Sequence, residues 1–102
     1  MEFEQPFQLN LPLQDQRHVL IVEDDHDTRM VLTHYFSIRG YDVVGARTGR
    51  QALSIALSDP LLDTVLLDVF VPEVGGMEVL QQLKGMKPDV GVVMMTALGD
   101  RE

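Results

Sequence analysis

No cysteine occurs in the 102 residues. Disulfides, Cys-ligated zinc and thiol catalysis are therefore excluded. The absence fits a reducing compartment, and a cytoplasmic location is expected. No apolar run approaches the ~20 residues that a membrane-spanning helix needs. The start, Met1-Glu2-Phe3-Glu4, lacks the basic opening and apolar middle of a secretory signal. Basic residues are scarce: eight Lys and Arg stand against sixteen Asp and Glu, a net charge of −8. Gripping a nucleic-acid backbone needs clustered Lys and Arg, so direct nucleic-acid binding is not expected. Repeats and low-complexity stretches are also missing. What remains is ordinary for a globular domain, with 45% hydrophobic and 24% charged residues. A chain of this length forms one domain and buries about 60–65% of its unfolded surface.

Apolar runs alternate with helical patterns from His18 onward. Residues 1–17, with Pro6 and Pro12 and no helical period, read as a flexible extension in which Leu9, Leu11 and Leu13 have a lesser claim to a short strand. Val19 to Val22 is a continuous apolar run, the signature of a parallel strand buried on both faces. A helix is predicted over 27–39, with Val31, Leu32, Tyr35, Phe36 and Ile38 as its apolar positions and Gly40 as its stop. Residues 41–45 read as a second strand. Thr48 and Gln51 have capping-box spacing ahead of a second helix that Ser58-Asp59-Pro60 closes. Thr64 to Leu67 is a third strand. Past Pro72, Gly75 and Gly76, a third helix carries Val79, Leu80 and Leu83, with Gly85 as its end. Val90 to Met95 is a fourth strand. This β-α-β-α-β-α-β order predicts a parallel sheet with helices on both faces and right-handed crossovers.

In an open parallel sheet, ligands bind beyond the carboxyl ends of the strands. The first strand ends on Glu23, Asp24 and Asp25, the third on Asp68, and the fourth on Thr96. Two carboxylates ~5 Å apart at an effective dielectric of ~20 repel by roughly 3 kcal/mol. Such a group must take up protons or a cation. A few hard carboxylate oxygens suit Mg²⁺. Any one of these acids alone reads better as a turn or capping residue, and for Asp25 that remains the better reading because the next helix needs a cap. Together at one sheet edge, Glu23, Asp24, Asp68 and Thr96 point to an acidic Mg²⁺ pocket beside a hydroxyl. His18, His26 and His34 lack metal-ligand spacing, and His26 reads as a surface residue at a helix start.

The segments VLIVEDD (19–25), VLLDVFVP (65–72) followed by Gly76, and VMMTA (93–97) resemble the receiver domain of bacterial two-component response regulators. The resemblance implies an α/β, flavodoxin-like, doubly wound sheet of strand order 2-1-3-4. It implies a signalling switch rather than an enzyme. Asp68 would accept a phosphoryl group from a sensor histidine kinase or phosphotransfer protein. Asp24, Glu23 (through water), Asp68 and the backbone carbonyl of Phe70 would hold Mg²⁺. Thr96 would be the switch hydroxyl, with Ala97 leaving room for it. Phe70 and Leu98 would border the path of hydrolytic water, and their bulk implies slow self-dephosphorylation.

Three departures accompany the resemblance. Gly75 stands where an Asp is usual. The only lysines, Lys84 and Lys87, precede the fourth strand and cannot supply the lysine that pairs with the phosphoryl group in the family; Arg101 has no assigned role. Receiver domains continue for another strand and two helices, so residues 18–102 are expected to form an incomplete receiver, truncated after its fourth strand. That strand would then be an apolar edge open to homodimerisation. The alternative function is a non-switching interaction module. An aspartyl-nucleophile phosphatase is disfavoured, because Phe70 stands where that class needs a second Asp.

Overall fold

The structure, a computed structural model, describes residues 17–96. Expectations on residues 1–16 and on Ala97, Leu98 and Arg101 lie outside the described residues. The elements are β1 (His18–Val22), α1 (His26–Ser37), β2 (Asp42–Ala46), α2 (Gly49–Ser58), β3 (Leu62–Asp68), α3 (Gly76–Met86) and β4 (Gly91–Met95). The four strands are parallel, in the order β2-β1-β3-β4. This is the predicted α/β order, 2-1-3-4. Among the described residues, no strand pairs with the outer edge of β4, and no helix is long and apolar enough to cross a membrane.

The continuous apolar runs go where both faces are covered. Val19 to Val22 of β1 and Val65 to Leu67 of β3 are all buried. On one face Leu20, Val22, Val65 and Leu67 pack with Ala52 and Ala56 of α2 and Val79 and Leu83 of α3. On the other, Val19, Ile21 and Leu66 meet Leu32 and Phe36 of α1. The second layer is thinner. Helix α1 buries no residue fully, and Val31 and Ile38 are 67% and 65% exposed. Of its five predicted apolar positions, only Leu32 and Phe36 turn inward, because one helix covers only part of that sheet face.

Local signals explain most element ends. Asp25 caps α1, accepting the Thr28 amide at 2.9 Å and the Thr28 hydroxyl at 2.7 Å. Thr48 caps α2 through the Gln51 amide at 3.0 Å. The Gln51 side chain reaches back to the Arg47 amide at 2.7 Å, one residue before the position a capping box uses. Gly85 does not end α3. The helix runs one residue further to Met86, and the Lys87 amide closes it on the Leu83 carbonyl. Both lysines lie at the amino ends of the strands, donating to the carbonyls of Val90 and Asp59.

Candidate functional site

Strand register builds the site. Val22 of β1 lies beside Leu67 of β3, so Glu23 and Asp68 each follow one of two paired residues on neighbouring strands. The ladders run slightly past the strands: the Glu23 amide donates to the Ala46 carbonyl, and the Val69 amide to the Met95 carbonyl, each at 3.0 Å. These bonds fix where the acidic loops leave the sheet. The consequence is convergence. One carboxylate oxygen each from Glu23, Asp24 and Asp68 lie within 4.8 Å of one another. Glu23 and Asp68 are 5% and 1% exposed, whereas Asp24 faces solvent.

The electrostatic cost falls on Glu23. Burial pushes its pKa from 4.5 up to about 7; the Asp25 amide, donating at 2.9 Å, pulls against that, and the Asp68 charge adds to it. Asp68 accepts the Phe70 amide at 3.1 Å, which bends the start of the following loop back over its carboxylate. Gly76 lets α3 approach this loop closely. A Cβ there would sit 2.6 Å from the Asp68 carbonyl oxygen. The donor set is all oxygen, anionic and partly dry, which fits a hard divalent cation such as Mg²⁺.

The structure brings together three of the residues singled out in the sequence, Glu23, Asp24 and Asp68. The Phe70 amide donates to Asp68, and its side chain is half exposed. Thr96 directly follows Met95, the register partner of Asp68, and is exposed. Asp25 serves as the helix cap, and His26 is the exposed first residue of α1. Sequence reasoning missed Arg29, whose guanidinium donates to the peptide oxygens of this acidic loop. A signal existed: a basic residue one turn into α1, opposite a glycine, Gly45, in the interior of β2.

Comparison with known proteins places this geometry among relatives. A family model described as the response regulator receiver domain matches residues 19–102. The response regulator SaeR of Staphylococcus epidermidis is 35% identical over 80 residues, 78% of this chain and 34% of its own length. The chain thus spans about a third of the length of the curated relatives it matches. Among solved structures, the response regulator TrrA of Thermotoga maritima in complex with Mg²⁺-BeF superposes with a TM-score of 0.77. It is 28% identical, covering 85% of this chain and 75% of that one. TrrA in complex with the histidine kinase ThkA superposes with a TM-score of 0.74 at 29% identity, covering 80% and 70%.

Proposed function

The chain belongs to the response regulator receiver domain family, and from that premise we propose that it is a phosphoacceptor switch with Asp68 as its phosphorylation site. Receiver domains are regulatory signalling domains, so the reading is of a switch and not of a turnover enzyme. The observation that carries it is the convergence of Glu23, Asp24 and Asp68 within 4.8 Å at the carboxyl ends of the strands. An Asp68 oxygen attacks the phosphorus of a phosphohistidine. The phosphorus–nitrogen bond breaks, the imidazole leaves, and an acyl phosphate forms on Asp68. Both reactants are anionic or electron-rich, so positioning and charge neutralisation dominate the barrier. Asp24, Asp68 and the Phe70 carbonyl would hold Mg²⁺ directly and Glu23 through water, and the cation when bound would supply positive charge against that repulsion. The Thr96 hydroxyl donates to a phosphoryl oxygen and reports the added charge. The donor is a cytoplasmic sensor histidine kinase or phosphotransfer protein. The kinase-bound TrrA neighbour supports that partnership.

A second reading has its own support. Both lysines of the chain are engaged at the opposite end of the sheet, so neither stands beside Asp68 as a phosphoryl partner. A non-switching interaction module would keep the pocket and bind its partner without phosphorylation. Incubation with Mg²⁺ and acetyl phosphate separates the two. The switch gains the mass of one phosphoryl group, and Asp68→Ala does not. Unlabelled wild-type protein overturns the phosphoacceptor reading, and partner binding unchanged in Asp68→Asn then favours the module.

A further inference from the structure

Arg29, one turn into α1, turns back over the loop that carries Glu23 and Asp24. Its Nη1 donates to the Glu23 carbonyl at 2.8 Å and reaches the Asp24 carbonyl at 3.5 Å. Its Nη2 lies 3.4 Å from His26 Nδ1. A guanidinium only donates, so that ring nitrogen accepts. The aliphatic stem runs across β2 at Gly45, where a Cβ would come within 3.2 Å of Arg29 Cδ and 3.4 Å of Cγ. The absent side chain at Gly45 thus makes the channel through which Arg29 reaches the loop. From the other side, the Asp25 amide donates to the Glu23 carboxylate, the Asp25 side chain caps α1, and the Arg29 amide donates to the Asp25 carbonyl. Glu23 is therefore held at its carbonyl and at its carboxylate by groups of the next six residues.

We propose that Arg29 is a positioning residue: a strap that fixes the peptide groups of Glu23 and Asp24, so that their carboxylates meet a divalent cation already arranged. The proposal rests on the Mg²⁺ reading of the pocket. Its reason is entropic. Loop carboxylates must be ordered before they can share a cation, and a charge-assisted bond to the peptide orders them in advance. Two effects of Arg29 oppose each other. As a positive charge near the pocket it repels Mg²⁺, and as a strap it favours Mg²⁺. The sign of the change on its removal tells which one rules.

Isothermal titration with Mg²⁺ on the wild-type chain, Arg29→Gln and Gly45→Val makes the test, with folding of each checked by circular dichroism. Gly45→Val leaves every charge in place and obstructs the stem. Arg29→Gln is expected to weaken Mg²⁺ roughly tenfold, the scale on which outer partners of metal ligands act. Gly45→Val is expected to weaken it about threefold by displacing the same strap. In both, exchange of the Asp24 and Asp25 amides quickens in the cation-free protein. Equal or tighter binding in either variant overturns the strap and leaves the pocket reading standing. No Mg²⁺ binding by the wild-type chain overturns the pocket reading and the strap together.

Discussion

Replacing Asp68 with asparagine removes one of three converging carboxylates and keeps an acceptor for the Phe70 amide. At the 4.8 Å limit of their separation, two carboxylates repel by about 3 kcal/mol at an effective dielectric of ~20. The displacement of Glu23 from 4.5 to about 7 gives a compatible scale, about 3 kcal/mol. Burial is the larger part of that displacement, so Asp68 accounts for a fraction. Removing a charge that is itself buried adds to the gain. Asp68→Asn should therefore stabilise the cation-free protein by about 1–3 kcal/mol at pH 8, several degrees or more in Tm for a domain of this size.

The pH dependence follows from Glu23. Its folded pKa is raised, so the stability linked to its proton is fully present below 4.5 and lost as pH rises through about 7. The advantage of Asp68→Asn should accordingly be larger at pH 8 than at pH 5. Saturating Mg²⁺ should narrow it, because a ligand at a hundredfold over its Kd returns ~2.7 kcal/mol to the wild-type chain. Thermal unfolding followed by circular dichroism, with EDTA or Mg²⁺ at both pH values, measures all of this. A variant no more stable than wild type in EDTA at pH 8, or a gain indifferent to Mg²⁺, would refute the electrostatic account of the pocket.

Other consequences lie away from the carboxylate cluster itself. His18 sits between Asp59, 3.0 Å from Nδ1, and Asp42, 3.5 Å from Nε2, and its hydrogen bond to Asp59 raises its pKa above 6.5. Its contribution to stability is full below pH 6.5 and disappears as pH climbs through the raised value. Burial pushes Asp59 up, but His18 and the Leu61 amide outweigh it and hold Asp59 below 3.8, so its contribution is lost only in acid. The stability difference between wild type and His18→Gln should peak between those limits and fade in alkaline solution; a flat difference in urea titrations across pH contradicts the ion pair. Gly76→Ala should destabilise by about 1–3 kcal/mol and impair phosphorylation, since its methyl would press on the Asp68 carbonyl oxygen and on Val69 Cα. Gly75→Ala, with nothing within 4 Å of its added carbon, is the control without steric contact and should cost only what a poorer N-cap of α3 costs, about 1 kcal/mol or less, with phosphorylation unimpaired. Leu83→Ala, emptying a fully buried site between α3 and the sheet, should cost about 2–5 kcal/mol by the same assay.

Strands β1 and β3 were legible because burial on both faces demands uninterrupted apolar residues, and a parallel sheet offers few other readings. The pocket was legible for a related reason. An apolar run that stops on an acid marks where a strand leaves the sheet, and strand order then places Glu23, Asp24 and Asp68 together. Periodicity was less informative for α1. The positions of Val31, Tyr35 and Ile38 satisfy a helical spacing, but spacing says nothing about how wide a surface the helix has to cover. Gly85 misled because glycine lowers helix propensity by ~1 kcal/mol, less than the packing of Val79 and Leu83 secures for α3.

The two ends of the sheet show what kind of residue a sequence hides. At the amino ends, His18, Asp59 and Lys87 bridge segments far apart in the chain, His18 to Asp59 and Lys87 to Asp59. Each is an unremarkable charge until the fold supplies its partner. At the carboxyl ends the chemistry-bearing acids announce themselves, but the group that orders them does not. Arg29 acts on peptide oxygens, which every residue carries, and through a gap left by Gly45 on another strand. Residues that touch ligands are constrained in type and therefore readable. Residues that work through the backbone are constrained in position, and position becomes visible only once the chain has folded.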